Sequence, residues 1–355
     1  MKLFLKNRVY SEYIIAAVVV IWFLVIYLVS QVYICFQSST GCFNIYLLSN
    51  WDGQHFLQIA ENGYLEAYQL AFFPLFPILM RLIQLIIPLP LWIIGILINL
   101  VGTIGGFVFL AKIFLRQKVS HPWMILVLIL FFPVSFFFVT LYSEALFFLL
   151  SLGAIYFYHK DKNWPTILLL TLLTLTRMAG IALVLAILVD LYYRKKFNYW
   201  FLIPFIGIGV FAIYGYLKTG ILLSIVFAET HWERMVTFPG FALYNSLSIL
   251  LREGISYQGY SLVADLLLVI GVLIILFRSY RIIPRLYFYY ALFSLLIPLS
   301  TSTFLSLPRF LLVIFPLFMA FYMWTNNTVR WIYCIVGVML SVIFFTIFLQ
   351  GGWVS

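Results

Sequence analysis

Asp52 is the residue with the clearest chemical potential. It stands in Asn50-Trp51-Asp52-Gly53-Gln54-His55-Phe56, which runs on to Ala60-Glu61-Asn62-Gly63-Tyr64, a polar, acidic and aromatic stretch in a chain that is mostly apolar. A carboxylate can take a proton from an attacking hydroxyl, a step worth about 10²–10⁴-fold in rate. Further ionisable and aromatic residues recur at the ends of later apolar runs: Arg81, Tyr142 with Glu144, Arg177, His231-Trp232-Glu233-Arg234 and Arg309. Arginines hold a phosphate through paired hydrogen bonds, and aromatic rings offer faces to sugars or isoprenoid chains. These parts suit transfer of a group from a lipid phosphate to a hydroxyl. The chain carries no paired metal-binding acidic motif, no Gly-rich phosphate loop and no nucleophile elbow.

Each of these residues also has a plainer reading. Asn50 or Asp52 can cap a helix by accepting a backbone N–H two or three residues on, with Asn62-Gly63 ending that helix about three turns later. Residue types alone leave cap and base equally open for Asp52. A single interfacial Arg is more often a snorkelling anchor than a ligand. Glu144 can equally be a solvated turn charge. His55 shares a helix face with Asp52 and can tune it, bind sugar, or simply pack. The set is harder to dismiss together, because carboxylates and guanidiniums gather where two outer loops can meet.

The elements that must position these residues are membrane helices. Of 355 residues, 65% are hydrophobic and 9% charged, against about 25% charged in soluble domains. The chain reads as all-α, a single polytopic membrane domain over residues 1–355. An outer-membrane barrel would show short alternating strands instead. The net charge of +10 fits basic cytoplasmic loops rather than nucleic-acid binding. The first apolar run is too long for a cleavable signal peptide and lacks a small-residue cleavage site. The three cysteines form no metal pattern; Cys35 and Cys42 flank the outer end of the first span and could pair.

Charge asymmetry orders the spans. Lys2, Lys6 and Arg8 place the N-terminus in the cytoplasm, and about eleven spans follow, over 13–34, 91–110, 123–139, 145–158, 164–176, 181–192, 200–217, 261–277, 286–301, 308–324 and 331–349. Residues 37–90 form a first outer loop with the motif and juxtamembrane helices, and 218–259 a second. Asp52, Glu61 and Glu66 lie in the first, with no Lys or Arg before Arg81. Pro74 and Pro77 are expected to forbid a regular helix until Pro77 has been passed. The short apolar run to Pro88 then reads as juxtamembrane or re-entrant. The rival reading makes 72–87 a true span and puts Lys112, Arg116 and Lys118 outside, against the charge rule.

Trp51-Asp52 with Phe56, Ile59-Ala60 and Gly63-Tyr64, followed by Phe72-Phe73-Pro74-Leu75-Phe76-Pro77, resembles the GPI mannosyltransferase 2 (PIG-V-like) family. Tyr142-Ser143-Glu144 with Leu146-Phe147, Thr176-Arg177 with Gly180, and Pro308-Arg309-Phe310 continue the match in order. Trp232 with Arg234 resembles a segment of prokaryotic members, as do the short loops and small size. The resemblance implies a GT-C glycosyltransferase in the cell membrane with its active site on the extracytoplasmic face. It implies a polyprenyl- or dolichyl-phosphate-linked sugar donor, mannose before glucose or an aminosugar, and inversion at the anomeric carbon. The acceptor would be a hydroxyl of a glycolipid, cell-envelope polymer or protein. In such enzymes an Asp in the first outer loop is the base, and Asp52 matches it.

By position, Arg177 and Arg309, with Arg81 or Arg234 beside them, are then expected to neutralise the donor phosphate. Trp51, His55, Tyr142, Glu144 and Trp232 complete the expected substrate site. Metal independence is expected. Expected partners are donor, acceptor and membrane lipids, no nucleic acid, and an accessory membrane subunit of the kind such enzymes can have. Two other classes stay open. A lipid-sugar or polyprenol carrier would need polar groups near the midplane, whereas these gather at the outer edge. A non-catalytic partner subunit would tolerate Asp52→Asn.

Overall fold

With little water to satisfy backbone groups, an apolar chain resolves them within helices. The structure, a computed structural model, describes residues 8–37, 44–117, 119, 121–253 and 257–354. Its helices are α1 (Arg8–Gln37), α2 (Asp52–Asn62), α3 (Leu75–Ile86), α4 (Leu91–Arg116), α5 (Pro122–Leu130), α6 (Glu144–Tyr158), α7 (Asn163–Thr174), α8 (Gly180–Tyr193), α9 (Pro204–Thr219), α10 (Ser224–Ala228), α11 (Phe241–Glu253), α12 (Tyr257–Ser279), α13 (Arg285–Leu299), α14 (Leu307–Leu312), α15 (Phe315–Trp324) and α16 (Asn327–Leu349). Among the described residues, β-pairing is limited to one isolated bridge, Val236 to Thr301.

Among the described residues, five helices are long and apolar enough to cross a membrane: Glu12–Phe36, Leu91–Arg116, Tyr199–Thr219, Leu262–Ser279 and Asn327–Leu349. They coincide with five of the expected spans. The other expected spans are shorter or broken. At 15 residues, α6 is about 22 Å long, below the roughly 30 Å of a hydrocarbon core. The hairpin of short helices expected over 164–176 and 181–192 is present as α7 and α8. The span expected over 123–139 is not one helix. It stops at Leu130, before Pro133, and resumes only as the single turn Ser135–Phe138. Proline lacks the N–H that would continue the ladder. The span expected over 308–324 likewise divides into α14 and α15, with Pro316 opening the second. Pairing of Cys35 with Cys42 involves a residue outside the described set.

The proline argument for the first loop also needs correction. Helix α3 starts at Leu75, ahead of Pro77. Pro77 falls in the first turn, where N–H groups have no intrahelical partner to lose. At 12 residues α3 is too short to span alone.

Close helix packing fixes the core. Gly102 and Gly106 on α4 face α6; a Cβ on Gly102 would sit 3.0 Å from Ala145 O, and one on Gly106 2.4 Å from the Phe148 ring. Small residues at this spacing let two helices approach. The broken stretch after α5 is buried, so its carbonyls need partners. Asn99 Nδ2 donates to Thr140 O (2.5 Å) and Tyr142 O (2.7 Å), and Thr103 Oγ1 donates to Phe138 O (2.9 Å). From α16, Ser341 Oγ donates to Phe132 O (3.1 Å) and Tyr333 OH to Leu128 O (3.0 Å). These bonds hold the backbone that delivers Tyr142 and Glu144.

Candidate active site

Helix starts and turns at one end of the bundle converge on a cavity of about 450 Å³, within the usual range for a small-ligand site. Asp52 is the first residue of α2 and Glu144 the first of α6. Helix N-termini favour negative charge at both places. Arg177 sits in the turn between α7 and α8, Arg234 follows the single turn Glu229–Trp232, and Arg309 lies in the short α14. All five line the cavity, with Tyr142, Glu229, Trp232, Phe310 and Trp353.

Asp52 does not cap its helix. Trp51 holds the cap position, with φ 59 and ψ −120, and no side chain accepts from the helix start. A positive φ is strained for a large residue, so something must hold it. Asn50 Nδ2 donates to Phe348 O (2.8 Å) and the Trp51 indole N–H to Gly352 O (3.1 Å). The Trp51 ring meets Trp353 edge-on at 5.1 Å. Thus Trp51, expected to bind substrate, is anchored to the segment after α16 and is not among the residues lining the cavity.

The Asp52 carboxylate is instead engaged by Arg309, with Nη1 2.5 Å from Oδ2. Arg309 Nε lies 3.2 Å from Glu144 Oε1, an ion pair without hydrogen-bond alignment. The same Glu144 oxygen accepts from Arg177 Nη1. Asp52, Arg309, Glu144 and Arg177 therefore form one alternating chain. Glu144 is 1% exposed, and its Oε2 is buried without a hydrogen-bond partner among the described residues. Arg234 pairs with Glu229 at 3.3 Å and donates to Leu305 O. The Phe310 ring lies between two guanidiniums, 5.0 Å from Arg177 and 5.1 Å from Arg234, and Tyr142 underlies Arg309 at 5.1 Å.

Charge is crowded here. Burial pushes the Arg234 guanidinium pKa down; Glu229 opposes this, while Arg309 and Arg177 add to it. A bound anion would relieve that crowding. Burial raises the Tyr142 phenol well above its ordinary value, so it stays a neutral donor, to Asn50 O at 3.3 Å. His55 is lowered by burial; Asp52 raises it and His231 lowers it, leaving a neutral imidazole near pH 7. Among the described residues, no three His, Cys, Asp or Glu side chains gather as metal ligands would.

The expected residues thus divide. Asp52, Tyr142, Glu144, Arg177, Trp232, Arg234 and Arg309 meet at the cavity. His55 lies behind its wall, stacked on Phe72 at 4.9 Å and edge-on to Trp232 at 6.1 Å. Arg81 is elsewhere: it is exposed on α3 and donates to Gln84 Oε1 at 2.7 Å. Glu61 is exposed. Trp353 and Asn99 escaped the sequence reading. Asn99 carried a usable signal, an amide in the middle of a long apolar helix. Trp353 carried none, since a tryptophan beside an apolar run looks like an interfacial anchor.

Residues 37–197 match the family model described as Mannosyltransferase (PIG-V). The GPI alpha-1,6-mannosyltransferase 2 of Homo sapiens is 35% identical over 145 residues, and that of Mus musculus 35% over 147. That of Cricetulus griseus is 31% identical over 145 residues. Each alignment covers 38% of this chain and 29% of the relative's own length. No solved structure matches the chain significantly. The family stretch contains Asp52, Tyr142, Glu144 and Arg177 and ends before Trp232, Arg234 and Arg309. Over that stretch the chain is similar to the PIG-V mannosyltransferases, and it spans under a third of the length of the relatives it matches.

Proposed function

We propose that this PIG-V-like chain is an inverting glycosyltransferase of GT-C type. It moves mannose from a polyprenyl- or dolichyl-phosphate donor to a hydroxyl of a lipid-linked or cell-envelope acceptor, on the extracytoplasmic face of the cell membrane. The observation that carries this reading is the alternating chain Asp52–Arg309–Glu144–Arg177 in the wall of one cavity. The same cavity is bounded by Ile181, Leu185, Phe293, Leu296 and Ile297, an apolar wall suited to an isoprenoid chain. The relatives' activity, that of an alpha-1,6-mannosyltransferase, supports mannose as the sugar.

In this reading Arg177, Arg234 and Arg309 receive the donor phosphate, and their carboxylate partners hold them in place before it arrives. Arg309 occupies Asp52 Oδ2, which leaves Oδ1 to take the proton of the acceptor hydroxyl. As that proton leaves, the acceptor oxygen bonds to the anomeric carbon. The bond from that carbon to the phosphate oxygen breaks, and its electron pair stays on the phosphate. One displacement inverts the anomeric centre. Phosphate is a good enough leaving group to go without a second acid, so the scheme is written without one and without a metal. Preorganised charge of this sort is usually the largest single contribution to such a barrier.

Donor class tests the proposal. Purified protein in detergent, with a membrane-lipid extract as acceptor pool, is given labelled mannose as polyprenyl-phosphate-mannose or as a nucleotide sugar. The expected result is transfer from the lipid phosphate alone, with the product anomer opposite to the donor's. Transfer from the nucleotide sugar alone, or retention of the anomer, would overturn the proposal.

A further inference from the structure

The segment after α16 forms part of the cavity, although neither the family stretch nor the sequence motifs reach it. Trp353 lines the same cavity as Asp52 and is 39% exposed. Its position is built rather than incidental. Phe348 O accepts from Asn50, Gly352 O accepts from the Trp51 indole, and Trp353 meets the Trp51 ring edge-on. Two residues immediately before Asp52 therefore fasten this segment beside the carboxylate. Gly351, at φ 81, supplies the left-handed turn that brings it round.

The aromatic residues around the cavity differ in what they touch. Among the described residues, the arginines of the cluster lie against Phe310, Phe137 and Tyr142, whereas the ring contact of Trp353 is with Trp51. A single inverting displacement brings the acceptor oxygen in from the side opposite the departing phosphate. The phosphate belongs with the arginines. The acceptor then belongs near Asp52 Oδ1, and Trp353 is an aromatic ring of the same lining whose own ring contact is with Trp51, the residue before Asp52. An indole face packs against the C–H face of a pyranose ring and needs no charge to do so.

We infer that Trp353 is the acceptor-side platform: it stacks on a sugar ring of a carbohydrate acceptor and presents that ring's hydroxyl to Asp52, with Asn50 and Trp51 as the positioning residues that hold it there. This rests on the glycosyltransferase reading above.

The test measures transfer of labelled mannose from polyprenyl-phosphate-mannose by wild type, Trp353→Ala and Trp353→Phe. A membrane-lipid extract serves as acceptor pool, and donor and pool are varied separately. Wild type must transfer; if it does not, the glycosyltransferase reading falls first and this inference with it. Given transfer, Trp353→Ala is expected to need about tenfold more acceptor pool for half-maximal rate, at unchanged donor dependence. Trp353→Phe keeps an aromatic face and should recover most of the loss, which also guards against a poorly folding alanine variant. Trp51→Phe, which removes the indole N–H held by Gly352 O, should raise the acceptor requirement in the same direction. An unchanged acceptor dependence in Trp353→Ala, or a change confined to the donor, would overturn the inference.

Discussion

Glu144 Oε1 takes Arg177 and Arg309 at once, on a side chain that is 1% exposed. Removing one partner from a buried ion pair leaves uncompensated charge, at a cost of about 3–5 kcal/mol. Glu144→Ala should therefore lose about that much stability, read by denaturant or thermal unfolding in detergent. Glu144→Gln retains an oxygen acceptor and should lose clearly less. Equal losses in both variants would mean that the charge alone matters and that the retained acceptor contributes nothing. The ionised residues of this cluster were legible in the sequence because ionisable groups in an apolar chain demand a reason. Which of them met was not legible. Arg81 and Arg309 each follow a proline motif, yet Arg81 points outward from α3. Spacing could not show that Trp51 is an anchor, because its role depends on Gly352 and Trp353, some three hundred residues away.

Elements carry the site through the broken stretch between α5 and α6. Hydropathy reads 123–139 as one span because the run is apolar throughout, and it is blind to where the freed carbonyls go. Asn99 answers that question by bonding Thr140 O and Tyr142 O. Leaving buried carbonyls without a donor costs about 1–3 kcal/mol. Asn99→Leu should destabilise the protein by about that amount. It should also lower transfer, since the same backbone delivers Tyr142 and Glu144. Parallel measurement of unfolding and of rate at a temperature where the variant stays folded separates the two effects. A stable variant with full activity would show that the amide is dispensable. The long helices were legible because a run of about twenty apolar residues is the length a bilayer requires of a spanning helix. The short and broken ones were not, since their lengths answer to internal packing and prolines.

The molecule has two polar ends of different character. One holds the cavity; the other lies at the far ends of α6 and α8. There Tyr158 OH donates to Asp190 (2.7 Å), Arg194 pairs with Asp190 (2.6 Å), and His159 Nε2 lies 2.9 Å from Tyr287 OH. Burial lowers His159 to about 4, helped by Arg194 and Arg116 and opposed by Asp190 and Asp161. The folded state therefore resists a proton that the unfolded chain takes up near 6.5. The stability this imidazole contributes is complete above that value and is lost as pH falls toward about 4. His159→Gln should flatten the fall of the unfolding midpoint over that window relative to wild type. An identical pH profile in the two proteins would contradict this. The central claim concerns the other end, and Asp52→Asn tests it most directly. With polyprenyl-phosphate-mannose and a membrane-lipid acceptor pool, folded Asp52→Asn should still bind donor and show transfer reduced at least about a hundredfold, the loss of a general base. Transfer equal to wild type in the folded variant would remove Asp52 from the mechanism and contradict the account.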